Sequence, residues 1–185
     1  MDSIYSALIP NAASKIRSEI AQVLERFGDP ILSIVAESGA SIRPLRKHER
    51  YDESSPALAR LGINVDAWPA PPAGLFVVEE RTVYLRSLSP MTIAHEFGHA
   101  LDCALGGGIY FSGADAIVRQ AFLSAKKFVT PYAATGIDEY FAECVRAYVG
   151  VNDSSSRWPS VSRSKLERTD SVIYAVIDGI FARGT

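Results

Sequence analysis

His95-Glu96-Phe97-Gly98-His99 sets two imidazoles four residues apart, with a carboxylate next to the first. On an α-helix, residues at that spacing lie about 40° apart around the axis and about 6 Å apart along it. Both rings can then reach one metal ion from a single rigid face. Glu96 falls about 100° further round, poorly placed as a third ligand but able to overhang the open side of the metal. There it can take a proton from a metal-activated water. The run matches His-Glu-x-x-His, whose chemistry is zinc-assisted hydrolysis. The chain has 3 histidines, and two of them are here. The third, His48, stands in a charged loop and reads as exposed rather than as a ligand.

A catalytic zinc takes three protein ligands and leaves one position open. With histidine nearly exhausted, the third ligand is expected to be a carboxylate. The longer pattern His-Glu-x-x-His-x-x-Gly-x-x-His is excluded: Asp102 stands where its glycine belongs and Leu105 where its third histidine belongs. Asp102 shares roughly the face of His95, which suits either orienting a ligand or closing the end of the helix. The best supplier is the later run Ile137-Asp138-Glu139-Tyr140-Phe141-Ala142-Glu143-Cys144. Glu139 and Glu143 are four apart on an otherwise apolar helix. Burying such a pair is costly unless a cation compensates it.

Several elements must hold these residues in place. Ser89 suits an N-cap and Pro90 the first helical position of the His-Glu helix. Apolar residues on nearly every side of that helix place it in the core, and Gly106 is expected to cap its end. Gly98, inside the motif, implies close approach of another backbone. Upstream, residues 14–27 read as an amphipathic helix closed by Gly28 and Pro30. The β-branched run from Ile31 to Ala36 predicts a strand, and a further extended piece is expected around Ile42. Residues 43–50 read as a solvated basic loop, and 52–74, with four prolines, as a stiff irregular one. Two runs at 75–78 and 82–85 predict a hairpin whose edge could hold an extended peptide. Downstream, Ser112 and Asp115 fit a capping box, and Ile117 to Val129 a helical stripe ended by Pro131. Residues 138–149 form the next helix, stopped by Gly150. A last helix is expected over 170–181, with Val172, Ile173, Val176, Ile177 and Ile180 inward.

The chain has 185 residues, 48% of them hydrophobic and 22% charged, an ordinary globular balance. The length fits one domain over 1–185, with helix and small sheet over 14–90 and a helical metal-binding part over 90–185. The net charge of −2 asks for neither nucleic acid nor a membrane surface. Cys103 and Cys144 read as small buried residues rather than a disulfide. The N-terminal run lacks the pattern of a Sec-type signal peptide, which points to the cytoplasm or to export into a target cell by a specialised route. The composition leaves the oligomeric state open.

Tyr132 precedes Glu139 by seven residues, within Pro131-Tyr132-Ala133-Ala134-Thr135-Gly136-Ile137-Asp138-Glu139-Tyr140-Phe141-Ala142-Glu143. Together with His95 to Asp102, this resembles the catalytic domain of anthrax lethal factor and the Pro-Pro endopeptidases. The resemblance implies an α+β, zincin-like single domain, mostly helical, with a small mixed sheet before the metal-binding helix. It implies one Zn2+ per chain on His95, His99 and Glu139, as in gluzincins. Glu96 would be the general base, Tyr132 a hydroxyl donor to the developing oxyanion, and Glu143 a support behind the ligands. Asp138 is the alternative third ligand. The partner implied is a protein or peptide substrate in extended conformation, and the role that of a toxin or effector protease. The chain is also similar to intracellular regulatory metallopeptidases of the ImmA/IrrE kind, from which Tyr132 distinguishes it. A zinc-stabilised binding module without turnover would leave Glu96 without a task.

Overall fold

The computed structural model describes residues 2–182. A first helix, α1 (Asp2–Leu8), was not foreseen from sequence; it precedes α2 (Ser14–Leu24), which buries Ile20, Val23 and Leu24 as its spacing requires. A 3-10 turn over Glu25–Phe27 tightens the end of α2 and buries Phe27. The strand expected over Ile31 to Ala36 is instead a helix, α3 (Asp29–Glu37), with Pro30 in its first turn. Ile31, Leu32 and Val35 are buried on one helical face. Their spacing outweighs the β-preference of their side chains, which is only a weak prior.

After a turn at Gly39, β1 (Ser41–Pro44) supplies the extended piece around Ile42. The basic loop is solvated as expected: His48 is exposed, and Arg43 pairs with Glu49 at 2.7 Å. The stretch 52–74 is more regular than its prolines imply. It holds α4 (Tyr51–Ser54), α5 (Pro56–Leu61) and a 3-10 turn over Val65–Ala67. Pro56 occupies the first turn of α5, where a missing N–H costs nothing, and the Ser55 hydroxyl caps it by accepting from the Leu58 N–H. Tyr51, Ala57, Leu58 and Val65 form a small second core with Val77 and Tyr84. The Tyr51 hydroxyl donates to the Pro72 carbonyl at 2.9 Å, and the Arg86 guanidinium lies 4.5 Å from the Tyr51 ring centre. That core braces the proline-rich segment.

The expected hairpin is present. β2 (Gly74–Val77) pairs antiparallel with β3 (Thr82–Leu85), and β3 pairs parallel with β1. The sheet is mixed, in the order β1-β3-β2, so β2 is an edge strand.

From β3 the chain enters α6 (Pro90–Leu105), which carries His95, Glu96 and His99 and is buried on nearly every side. Ser89 does not cap it by side chain; its hydroxyl donates to Asp153 at 2.8 Å. Gly106 ends the helix, but not as a left-handed cap: its φ is −86°. A side chain there would lie 2.1 Å from the Ile109 carbonyl oxygen, so glycine is demanded by the returning chain.

Two short helices follow, α7 (Phe111–Ala114) and α8 (Ala116–Ser124). Asp115 alone caps α8, accepting from the N–H groups of Ile117 and Val118. Ser112 is buried elsewhere, Ile117 is exposed, and Ala125, Phe128 and Val129 lie beyond the end of α8 at Ser124, so the capping box and those parts of the stripe are corrected. α9 (Ile137–Val149) ends at Gly150, whose φ of 70° suits glycine. An unforeseen α10 (Arg163–Thr169) leads to α11 (Ser171–Ala182). Ile173 and Ile177 are buried there, but Val172 is 50% exposed, off the inward face.

α6 and α9 pack against each other, and α6 also meets α2, α3 and the sheet. Gly98 is the point of closest approach. A Cβ there would sit 3.0 Å from Ala142 Cα, so only glycine lets α6 and α9 lie this near. Phe27 packs edge-on against Phe97 with ring centres 4.7 Å apart. Cys103 and Cys144 are free and buried. The fold is α+β: mostly helical, with a small mixed sheet ahead of α6. Among the described residues, no helix is long and apolar enough to cross a membrane.

Candidate metal centre

His95 and His99 point their Nε2 atoms at each other across 3.2 Å, from one face of α6. Glu139, in the first turn of α9, places Oε2 at 2.9 Å from His95 Nε2 and 3.2 Å from His99 Nε2. Nitrogen and oxygen donors about 2.0–2.1 Å from a zinc in tetrahedral array stand about 3.3 Å apart. The three atoms therefore meet at close to the separation that such an ion requires. One donor atom from each of the three residues lies within 4.8 Å of the other two. Two basic nitrogens and a carboxylate oxygen converging in a largely buried place fit a cation. Asp138 is not in this set.

The geometry has a support that the motif alone does not reveal. His95 Nδ1 lies 3.0 Å from Glu143 Oε1, which assigns a ring proton to Nδ1 and turns Nε2 to the metal position. Glu143 is itself held at both oxygens. Arg146 donates Nε to Oε1 and Nη2 to Oε2, each at 2.9 Å, and the Thr130 hydroxyl donates to Oε2 at 2.6 Å. The Arg146 side chain is wholly buried, and its remaining Nη1 donates to the Val151 carbonyl at 3.0 Å. Neither Arg146 nor Thr130 was foreseen from sequence. The available signal was the i, i+3 spacing of Glu143 and Arg146 on an apolar helix.

Asp102 does not reach a ligand through a hydrogen bond. Its two oxygens accept from the Ser112 N–H at 2.7 Å and the Ser112 hydroxyl at 2.6 Å, which ties the end of α6 to α7. Burial pushes its carboxyl up to about 6, against those two hydrogen bonds. His99 Nδ1 is buried without a hydrogen-bond partner among the described residues.

Glu96 is buried at 7% exposure and stands outside the ligand set. Burial pushes its carboxyl above the usual range, and the nearby His95 and His99 offset this only in part. Tyr132, on a 3-10 turn ahead of α9, donates its hydroxyl to Glu139 Oε1 at 2.9 Å. Its phenol is pushed up by burial and then by the Glu139 charge, so it stays a donor at neutral pH. Trp158, from the loop before α10, stands edge-on to Tyr132 with ring centres 6.1 Å apart. These groups face a cleft of about 240 Å³ walled also by Pro72, Ala73, Gly74 and Met91. Trp158 and Gly74 are further site residues that motif reading passed over.

The ligand set predicts how metal uptake depends on pH. Burial pushes the His95 ring down, but hydrogen bonds with Glu139 and Glu143 outweigh it and raise it to about 10. Burial likewise pushes Glu139 up, while its bonds to His95 and His99 hold it well below the usual carboxylate range. In the metal-free protein at neutral pH the centre thus holds one proton on His95 that an entering cation must displace. Affinity is expected to rise by about tenfold per pH unit from about pH 6 to about pH 8, with one proton released per metal. Calorimetric titration with zinc in buffers of different ionisation enthalpy measures both. A flat affinity with no proton release would contradict this protonation state.

No family model matches the chain, and no curated protein matches it. Among solved structures it is similar to the Pro-Pro endopeptidase PPEP-2 from Paenibacillus alvei, with a TM-score of 0.64 over 96% of this chain and 99% of that one. The two are 19% identical, so the shared property is the fold.

Proposed function

We propose that the chain is a zinc-dependent endopeptidase of the gluzincin type that hydrolyses a peptide bond of an extended protein segment. One observation carries this reading: a buried carboxylate, Glu96, faces a cleft beside three convergent ligand atoms without being one of them. A purely structural zinc site is closed by a fourth ligand and has no use for such a group. Zinc held by His95, His99 and Glu139 would supply a Lewis acid and lower the pKa of a water toward ~7.

The chain's own groups do the rest. Glu96 takes the proton of the attacking water and later delivers it to the leaving amine. Tyr132 turns its hydroxyl from Glu139 Oε1 toward the developing oxyanion. Glu143, clamped by Arg146 and Thr130, keeps His95 in the tautomer that presents Nε2. The free edge of β2 holds the peptide by main-chain hydrogen bonds.

The name of the similar structure makes peptides with a central Pro-Pro pair the first substrates to try. Elemental analysis is expected to find one zinc per chain in wild type and little in Glu139→Ala. A quenched-fluorescent Pro-Pro peptide panel is expected to be cut by wild type. Tyr132→Phe should keep its zinc and lose roughly 10²-fold in kcat, as when one oxyanion donor is removed. A folded wild type that takes up no zinc on reconstitution would overturn the reading.

A further inference from the structure

We infer that Gly74, the first residue of the edge strand β2, is a positioning residue that seats the side chain of Glu96. Ala73 and Arg86 face each other across β2 and β3, and the Arg86 N–H donates to the Ala73 carbonyl at 2.9 Å. In an antiparallel pair such bonding alternates, so Gly74 and Phe76 turn their N–H and C=O groups away from β3, toward the open edge. Glu96 fills the room beside them. A Cβ on Gly74 would lie 2.5 Å from Glu96 Cγ and 3.0 Å from its Cδ, with Thr92 Cγ2 at 2.9 Å. These are the stem atoms of a buried side chain, not the free end of a mobile one. Gly74 has no left-handed conformation to explain it, so the explanation is space. One strand edge thus both sets the base and flanks the cleft that a peptide would enter, fixing their relative position.

The catalytic half of this inference rests on Glu96 being the base; the packing half does not. The test is a double-mutant cycle read two ways. In urea unfolding of the metal-free protein, Gly74→Ala is expected to lower the midpoint in wild type and to lower it clearly less in a Glu96→Ala background. Thr92→Ser, which removes the other close methyl, is expected to relieve Gly74→Ala less than Glu96→Ala does. Equal costs in both backgrounds, or full relief by Thr92→Ser alone, would overturn the seating. In peptide cleavage, Gly74→Ala is expected to keep its zinc and its KM while kcat falls by about 10–10²-fold, as for a displacement of about 1 Å. An unchanged kcat in an active, zinc-loaded enzyme would overturn the positioning role. If wild type cuts no peptide, the endopeptidase reading fails, and the unfolding cycle still decides whether Glu96 is seated by Gly74.

Discussion

Arg146→Ala is expected to cost the fold about 3–5 kcal/mol, because it strips a buried carboxylate of its two-pronged guanidinium partner. Arg146 is wholly enclosed, and both of its contacts to Glu143 are 2.9 Å long, in the two-pronged geometry that suits guanidinium and carboxylate. Without it, Glu143 keeps only the Thr130 hydroxyl and the His95 ring. Burial then pushes the Glu143 carboxyl toward its neutral form, and His95 loses the acceptor that fixes its tautomer. Zinc affinity is accordingly expected to fall by about 10–100-fold, the usual effect of losing a group that orients a ligand. Arg146→Lys restores the charge but not the fork, so an intermediate loss is expected. The measurement is urea unfolding of the metal-free protein, since bound zinc would add its own linkage. A loss below about 1 kcal/mol would show that the pair does not brace the centre.

Glu96→Gln should act in the opposite direction on the two properties it touches. Turnover is expected to fall by about 10²–10⁴-fold, the contribution of a well-placed base, while the zinc content stays that of wild type. Stability is expected to rise. Burial raises the Glu96 carboxyl above its unfolded value, so ionising it penalises the native state as pH climbs through the folded pKa. A neutral isostere of the same length avoids that penalty and keeps the packing against Gly74. The paired readout is peptide turnover and the melting temperature of the metal-free protein near neutral pH. Wild-type turnover in the variant would remove Glu96 from the mechanism. A lower melting temperature would mean that the buried charge is stabilised by its surroundings.

The centre was legible where its parts are close in sequence and obscure where they are joined only by folding. His95, Glu96 and His99 lie within one helical turn, so spacing alone carries their geometry. Glu139 and Glu143 stood out because two acids on an apolar helix call for compensation. The compensator of Glu143 was in plain view at i+3, but an arginine in the last turn of a helix reads equally well as a solvated charge facing the dipole. Only the packing of α9 into the core shows it to be enclosed. The Ile31 to Ala36 run misled for a related reason. A short apolar segment can be strand or buried helix, and Pro30 read as the end of one helix is in fact the start of the next. Gly74 and Trp158 come to the cleft from segments far from the motif in sequence.

The free edge of β2 is also a hazard. A strand that leaves N–H and C=O groups unpaired invites other strands to dock there, including those of a neighbouring copy. Its length limits the danger: β2 has 4 residues. On one side the chain arrives through Pro69, Pro71 and Pro72, and proline cannot extend a ladder of hydrogen bonds. On the other side it turns at once into the 3-10 turn of Val78–Glu80. Glu96 further occupies part of the edge from within. The segment that frames the cleft is thereby also guarded against self-association, because its exposed edge is too short to seed a growing sheet.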